Sequence, residues 1–378
     1  MSNRPLELDR RDWIRLTVRA VTDSVTGASL CVGAWSVPKR ASAQEDLSSM
    51  YVDDDIDQAI ERGINFLMSN VRNDGSIADR GHEVAMTSLA IMAMASVGIQ
   101  PGIDDLRSRI MTHAIDYVLT DRNQDAQGYF GNADGSRMYG HGIVTLMLTE
   151  MLGTGATIQQ NQRIHESLVK ALQLILKAQA VRKPSTLAGG WRYAPSATDS
   201  DLSVSVWQLM ALRSAKNDGM DVPAASIALA LKYLENSYTS PKGQTTNILG
   251  GFSYTPRQGH PSFTMTAAGL LAMQVCGQYE SAMVKGASEW LMQNPPRTKE
   301  RFFHYGVYYY AQGMHQAGGK YAKRADELVP KMLLDMQDPR GAWMANNNEE
   351  RNIGRVYATA LSILSLSVRY HYLPIYQR

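Results

Sequence analysis

The sequence of 378 residues contains only two cysteines, Cys31 and Cys276, so neither a disulfide framework nor a thiolate metal cluster can be built from it. No uninterrupted apolar run reaches the roughly 18 residues that a membrane-spanning helix needs, and we expect no transmembrane segment. The formal net charge is only +2, which gives no case for a nucleic-acid-binding protein. What the chain does have is apolar material, because 44% of its residues are hydrophobic, and this is ample for a sizeable core.

The first 43 residues differ in composition from the rest. The Arg10-Arg11 pair, followed by Trp13 and Ile14, resembles the twin-arginine export signal, and residues 41–43 have the small-residue pattern that a signal peptidase accepts. We therefore predict a signal peptide over 1–43, a linker over 44–50, a folded domain over 51–378, and export to the periplasm or cell envelope. The alternative interpretation of the first segment is a basic tail.

One local pattern recurs along the predicted domain. A small, hydroxyl-bearing or aromatic residue, here called an anchor, accompanies an apolar helical run, and successive anchors are 58, 60, 61, 42 and 51 residues apart. A period of about 50–60 residues fits one pair of helices with its loops. Such repeats cannot bury their own apolar faces and must stack or close on themselves. The anchors are Thr87, Thr145, Ser205, Thr266, Tyr308 and Thr359.

Before each anchor the sequence predicts a second helix that is apolar on one side and runs into a glycine-containing turn. Ile60, Ile64 and Leu67, at spacings of four and three, mark such a helix. The anchor helices are apolar nearly all round, as over 202–212, and a helix that is apolar on every face is buried on every face. Outer one-sided helices that alternate with inner apolar ones predict an all-α fold, an α/α toroid in which about six helix pairs form a double ring.

Two of the turns carry a resemblance to a known family. Gln179…Gly190-Trp191 and Gln337…Gly341-Ala342-Trp343 are similar to the QW motifs of squalene cyclases, and Tyr370-His371-Tyr372-Leu373-Pro374 resembles the exported bacterial prenyltransferase/squalene-oxidase-repeat proteins. The resemblance spans roughly 51–378. It implies a toroid like that of terpene cyclases and protein prenyltransferases, with an isoprenoid or other apolar ligand in its central cavity. We expect no cofactor.

A residue that is not apolar stands four positions before each anchor. Because the inner helices run parallel in that family, the resemblance implies that these six residues ring one mouth of the barrel, at helix N-termini. One interpretation is that they line a ligand site; the alternative is that Ser and Asp at such places cap their helices. The six are Glu83, His141, Asp201, Ser262, His304 and Arg355.

The sharpest chemical candidate is Asp199-Ser200-Asp201-Leu202-Ser203, which resembles the acidic motif of class II terpene cyclases. The resemblance implies that Asp201 donates the proton that starts cyclisation and that Asp199 is its like-charged partner, which would help to keep it protonated. Leu202 replaces the third acid of the motif. A second alignment places Ser203 where the acid should stand, which would abolish this chemistry.

Aromatic residues on or near the inner helices, Trp207 and Tyr308 among them, are candidates for the wall of the cavity. We therefore predict that a substrate contacts Glu83, His141, Trp207, His304, Tyr308 and Arg355.

A metal site is not expected. Resemblance to the β subunits of protein prenyltransferases would put Ser203 in the place of a zinc-binding cysteine, and serine is a poor zinc ligand. A different zinc site built from His141, Asp201 and His304 is the remaining metal hypothesis.

For function, the sequence leaves two hypotheses: a terpene-cyclase-like enzyme, or a non-catalytic exported toroid that binds a lipid, a glycan or a protein partner.

Overall fold

The structure, a computed structural model, describes residues 54–240, 249–256, 260–346 and 348–376. The predicted signal peptide and linker lie outside these residues, as does the start of the predicted domain. The described residues form thirteen α-helices and one two-stranded antiparallel sheet, β1 (Tyr238–Thr239) with β2 (Gly251–Phe252). The helices are α1 (Asp55–Ser69), α2 (Glu83–Ala95), α3 (Leu106–Val118), α4 (Arg137–Met151), α5 (Ile158–Ala180), α6 (Leu202–Asn217), α7 (Ala224–Ser237), α8 (Phe263–Val275), α9 (Ala282–Gln293), α10 (Phe303–Ala317), α11 (Gly319–Leu334), α12 (Asn348–Ile353) and α13 (Arg355–Leu366).

Six of these helices close into an inner ring. The order of contact is α2, α4, α6, α8, α10 and α13, and α13 packs back against α2. Each has an outer partner, so that α3 packs on α2, α5 on α4, α7 on α6, α9 on α8, α11 on α10 and α1 on α13. The prediction of an all-α toroid of about six helix pairs is confirmed.

The two rings differ in burial as the hydrophobic patterns predict. Every residue of α8 is buried, because this inner helix has neighbours on all sides. The outer helix α11 buries only Ala325, Val329 and Leu333, which lie four residues apart on one face. None of the described helices is both long and apolar enough to cross a membrane.

Four of the six anchors join their inner helix to the turn that precedes it. The hydroxyl oxygen of Ser205 accepts a hydrogen bond of 2.8 Å from the backbone N–H of Trp191, and that of Thr359 accepts one of 3.0 Å from Trp343. Thr87 and Thr266 hold the N–H groups of the corresponding turn residues in the same way. A short hydroxyl side chain is therefore needed at these places, in helices that are otherwise apolar.

Glutamine side chains connect neighbouring repeats. Each of three glutamines donates one hydrogen bond from Nε2 to the carbonyl of a glycine in its own turn and a second to a carbonyl of the next outer helix. The three sets are Gln124 with Gly128 and Ser167, Gln179 with Gly189 and Ser226, and Gln337 with Gly341 and Ala59. Because Ala59 belongs to α1, the first described helix, the last set joins the final repeat to the first and closes the ring.

Gly189 and Gly341 occupy equivalent places in two of these turns. Both have positive φ angles, +93° and +84°. A Cβ on Gly189 would lie 2.1 Å from the carbonyl oxygen of Leu229 in α7, and one on Gly341 would lie 2.3 Å from that of Arg62 in α1. The turn can therefore touch the next outer helix only where it has no side chain.

The C-terminal segment covers the end of the ring where the inner helices finish. It contains two short 3₁₀ helices, Ser367–Tyr370 and Pro374–Tyr376. The hydroxyl groups of Tyr376 and Tyr308 are hydrogen-bonded, and the N–H of Ile375 lies 3.4 Å from Oε2 of the buried Glu150 in α4. The other end, where the inner helices begin, contains a cavity lined by residues of all six inner helices.

Candidate ligand-binding site

A cavity of about 720 Å³ lies at the N-terminal ends of the six inner helices. Each of the six contributes at least one residue to the wall of the cavity. Its aromatic lining consists of Tyr139, Tyr193, Trp207, Tyr254, Phe302, Tyr305 and Tyr357. Its polar lining consists of His82, Ser136, Ser203, Ser262, Thr264, Glu300 and Arg301.

The backbone N–H groups of these helix ends are bound by acidic side chains, several of which belong to other elements. Asp134 accepts from Ala85 at the start of α2, and Asp79 accepts from Arg355 and Val356 at the start of α13. Glu350 accepts from α10, and Asp201 caps its own helix α6 through a bond of 2.9 Å from Val204. The carboxylates therefore satisfy donors that a helix N-terminus leaves free and complement its dipole.

Asp201 lies behind the aromatic wall. Its side chain is 0% exposed, and its Oδ1 accepts a hydrogen bond of 2.6 Å from Ser203. The hydroxyl of Ser203 is also hydrogen-bonded to Tyr139, and the hydroxyl of Tyr305 donates to the carbonyl of Ser203. Burial raises the pKa of the Asp201 carboxyl above its ordinary value, although these hydrogen bonds and Arg192 act in the opposite direction.

Arg192 connects this acid to the rim of the cavity. Its guanidinium lies 3.3 Å from Asp201 and 3.4 Å from Asp199, which is half exposed. The same group lies over the rings of Tyr193 and Tyr254, at 4.8 and 5.6 Å from their centres. The hydroxyls of those two tyrosines are hydrogen-bonded to each other. One cation thus fixes two tyrosine rings of the lining and partly neutralises the buried acid.

Glu350 holds the opposite part of the wall. It is fully buried and accepts hydrogen bonds from the backbone N–H groups of His304 and Tyr305. The hydroxyl of Tyr357 donates to its Oε1 at 3.3 Å. Burial, followed by the charge of Glu350, raises the pKa of the Tyr357 phenol well above its ordinary value, so this hydroxyl stays protonated and acts as a donor.

Of the residues predicted from the sequence, Trp207 lines the cavity and Asp201 lies directly behind it. Tyr308 lies behind Trp207, with the two rings stacked 5.9 Å apart. Glu83 and Arg355 begin their helices outside the lining, where Glu83 pairs with Arg72 and Arg355 pairs with Asp338. The structure therefore places Trp207 in the wall, with Asp201 and Tyr308 behind it. Of the six residues that stand four positions before the anchors, Ser262 lines the cavity.

His141 and His304 are buried between helices and lie outside the lining. Nε2 of His141 bonds to the carbonyl of Ala171 at 3.1 Å, and Nδ1 of His304 bonds to the hydroxyl of Ser362 at 3.0 Å. Burial lowers the pKa of His141 to about 4 and that of His304 to about 3, so both imidazoles are neutral at pH 7. Among the described residues no three His, Cys, Asp or Glu side chains are placed to share a metal ion, so the hypothesis of zinc on His141, Asp201 and His304 finds no geometric support.

Tyr193 and Tyr254 line the cavity but were not predicted as site residues. Each follows the aromatic residue of a turn by two positions, in Trp191-Arg192-Tyr193 and in Phe252-Ser253-Tyr254. This shared phase in consecutive repeats is a signal that could have found them. Glu350 gave no such signal. Two adjacent acidic residues in a short polar helix usually lie on the solvated surface, and nothing in the sequence marks this one as buried.

Comparison with known proteins supports the fold and changes the functional interpretation. No family model matches the chain, and no curated protein matches it either. It is similar to an inactive variant of an α-1,6-mannanase of Salegentibacter sp. HEL1_6 in complex with α-1,6-mannotriose, with a TM-score of 0.57, 8% identity, and coverage of 84% of this chain and 100% of that one. It is also similar to a glycosidase variant in complex with glucose, with a TM-score of 0.54, 11% identity, and coverage of 85% and 98%.

These likenesses define the fold class, an α/α toroid, and at such low identity they define nothing more. They also overturn the resemblance drawn from the turns. The neighbours are glycosidases, so assignment to the prenyltransferase/squalene-oxidase-repeat proteins was wrong, as was the isoprenoid ligand it implied. The glutamine and tryptophan spacing reports how toroid repeats are joined, as the bonds of Gln179 and Gln337 show.

The acid-initiated cyclisation assigned to Asp201 was also wrong, and the geometry gives a physical reason. A proton donor must touch the guest, but this carboxyl is covered by the tyrosine wall and bound by Ser203, Val204 and Arg192. The same Asp that resembles a catalytic acid in sequence is the cap of α6.

Proposed function

We propose that the chain binds a short glycan in the cavity at the N-terminal ends of the inner helices. The observation that carries the proposal is the lining, which combines aromatic rings with hydroxyl groups of serine, threonine and tyrosine. A sugar offers both complements, since its C–H faces pack on aromatic rings and its hydroxyls donate and accept hydrogen bonds. Small-molecule sites are commonly of this kind, with apolar walls and a few polar groups that fix orientation.

The size and rigidity of the cavity favour the same ligand. Its volume of about 720 Å³ suits a ligand of two or three sugar units. Tyr139 and Tyr254 are held in place by Ser203 and Arg192, which limits the rotamer entropy that binding would cost. The neighbours that carry mannotriose and glucose indicate which sugars to try first.

Substitution of Tyr254 tests the proposal. This residue is 39% exposed at the cavity, so its removal should leave the fold intact. We expect Tyr254→Ala to weaken the binding of α-1,6-mannotriose by about fivefold, because one stacking ring is worth about 1 kcal/mol and each 1.4 kcal/mol is tenfold. Isothermal titration calorimetry measures the change.

Tyr372 provides the matched control, since it is a tyrosine of similar exposure, 52%, that packs against Gly98 outside the cavity lining. Tyr372→Ala should bind like the unmodified protein. A chain that binds neither mannose- nor glucose-based oligosaccharides, or that binds them equally well in both variants, would overturn the proposal.

Hydrolysis of the bound glycan is a second candidate, and one observation favours it. Glu300 contributes to the lining, and Glu349 is bonded at 3.0 Å to Arg301, the next residue of the lining. Glycoside hydrolysis requires two carboxyl groups, one to protonate the oxygen of the breaking C–O bond and one to activate the water that attacks the anomeric carbon. We assign the carboxyl that touches the guest to Glu300, and we propose Glu349, which lies beside the lining on Arg301, as the second carboxyl of the pair.

Release of reducing ends from an α-1,6-linked manno-oligosaccharide tests this second candidate. We expect Glu300→Gln and Glu349→Gln each to lower the rate by at least about 100-fold, the usual contribution of one acid or base. Glu235→Gln, at a partly exposed position on α7 where the carboxylate pairs with Lys232, is the control and should keep full activity. Sugar binding without any release would reject hydrolysis and leave the binding proposal standing.

A further inference from the structure

A pair of histidines lies outside the cavity, at the end of the ring that the C-terminal segment covers. His315 belongs to the last turn of α10, and His371 follows the 3₁₀ helix Ser367–Tyr370. Their Nε2 atoms are 3.2 Å apart. His371 is exposed and the side chain of His315 is 25% exposed, so solvent reaches the pair.

We propose that these two imidazoles bind one divalent transition-metal ion of the zinc class. Neutral imidazole nitrogen is a preferred ligand of zinc, copper and nickel ions. Two nitrogens that are each about 2.05 Å from a zinc ion and 3.2 Å from one another subtend about 100° at the metal, close to a tetrahedral angle. The observed separation is therefore the one that two ligands of a single ion would have.

The orientation of the rings meets the same requirement. The ring centres are 4.9 Å apart, farther than the nitrogens, so the rings diverge from the point where Nε2 atoms meet. Two imidazoles bound to one zinc ion at about 100° would have ring centres about 5 Å apart, since each centre lies about 1.1 Å behind its nitrogen. Stacked or edge-on histidines without a common ligand need not satisfy both distances.

Asp326 of α11 is placed to support the ligand. Its Oδ1 lies 3.6 Å from Nδ1 of His315, the nitrogen that does not face His371. That distance is too long for a hydrogen bond, but the carboxylate favours a proton on Nδ1 and so leaves the lone pair on Nε2 for the metal. Asp326 is therefore a positioning residue and not a ligand.

The described residues supply no third His, Cys, Asp or Glu ligand here. Water completes the coordination, as it does wherever zinc keeps open positions. Binding would connect α10 directly to the C-terminal segment, which also reaches the ring through Tyr376. The ion would thus stabilise the cover over this end of the toroid by binding only when it is in place.

Titration of chelator-treated full-length protein with Zn²⁺ tests the site, with Co²⁺ as a spectroscopic probe. We expect one ion per chain, a visible absorption band with Co²⁺, and a melting temperature that rises with Zn²⁺ concentration. His371→Ala should lose all three effects and still fold, because this side chain is exposed. Asp326→Asn should weaken binding about 10-fold or more, a change that a purely structural aspartate would not cause.

His113→Ala is the matched control, since His113 is an exposed histidine of α3 whose Nε2 is bonded to the backbone carbonyl of Asn73. It should bind Zn²⁺ like the unmodified protein. Failure of the unmodified protein to bind Zn²⁺ saturably, or undiminished binding by His371→Ala, would overturn the proposal and leave a hydrogen bond in which one imidazole donates to the other.

Discussion

Acidification from pH 7 to pH 4 is expected to lower the free energy of unfolding by roughly 5–7 kcal/mol, through two buried histidines alone. Burial lowers the pKa of His141 to about 4 and that of His304 to about 3, whereas both would titrate near 6.5 in the unfolded chain. The unfolded state therefore binds more protons throughout this range. The stability that the two neutral histidines contribute is complete above pH 6.5, and it is lost as the pH falls toward their pKa values in the folded protein.

The pH window separates this effect from that of the carboxylates. Asp54 and Asp74 have lowered pKa values, so their contribution disappears only as pH falls below 3.8. Asp201 has a raised pKa, so protonating it on acidification favours the folded state and offsets a small part of the loss. Between pH 6.5 and 4 the histidines dominate.

Urea unfolding at a series of pH values measures the slope. We expect His304→Asn, which keeps a polar partner for Ser362, to remove about 1.4 kcal/mol per pH unit between pH 6 and 4. His113→Asn, at an exposed position, should leave the slope unchanged. An unaltered slope in His304→Asn would mean that this imidazole is not held neutral by burial.

Replacement of Gly189 by alanine is expected to cost about 3 kcal/mol of stability. The new Cβ would lie 2.1 Å from the carbonyl oxygen of Leu229, and backbone on both sides leaves little room to yield. The residue also has a φ of +93°, which adds about 1 kcal/mol for a residue with a side chain.

Gly277→Ala separates the two contributions. Gly277 has a similar φ of +80°, but a Cβ there would meet nothing within 4 Å. We expect this variant to lose only about 1 kcal/mol, which is the conformational part. Equal losses in the two variants, measured by urea unfolding, would show that the turn can move away from α7.

The fold could be predicted from the sequence because its rules are local. A helix that is apolar nearly all round, such as α6, must be buried and must satisfy the few hydroxyls it carries, and the structure shows that Ser205 holds the turn at Trp191. The glutamine and glycine spacing around Gln179 repeats for the same reason. Gln124 fits the same pattern, but its turn carries Phe130 in the place of the tryptophan, and this copy was not predicted.

The site could be predicted only in part, because its contacts join distant repeats. Tyr305 bonds to Ser203, 102 positions earlier, and no local spacing encodes such a pair. Asp201 was found but misinterpreted, since a capping acid and a catalytic acid occupy the same place at the start of a helix. The predicted export signal lies outside the described residues, so the signal and the cell-envelope location that it implies stay predictions.

Closure of the ring has a mechanical consequence. Consecutive helices around the double ring are joined by the polypeptide itself at every place except one, the seam where α13 and the C-terminal segment meet α1 and α2. There the described residues are held by helix packing and by side-chain bonds such as those of Gln337 and Arg369. We expect local unfolding to begin at this seam, because the ring can open there without stretching the polypeptide. Amide protons of α1 should accordingly exchange with solvent sooner than those of the inner helices.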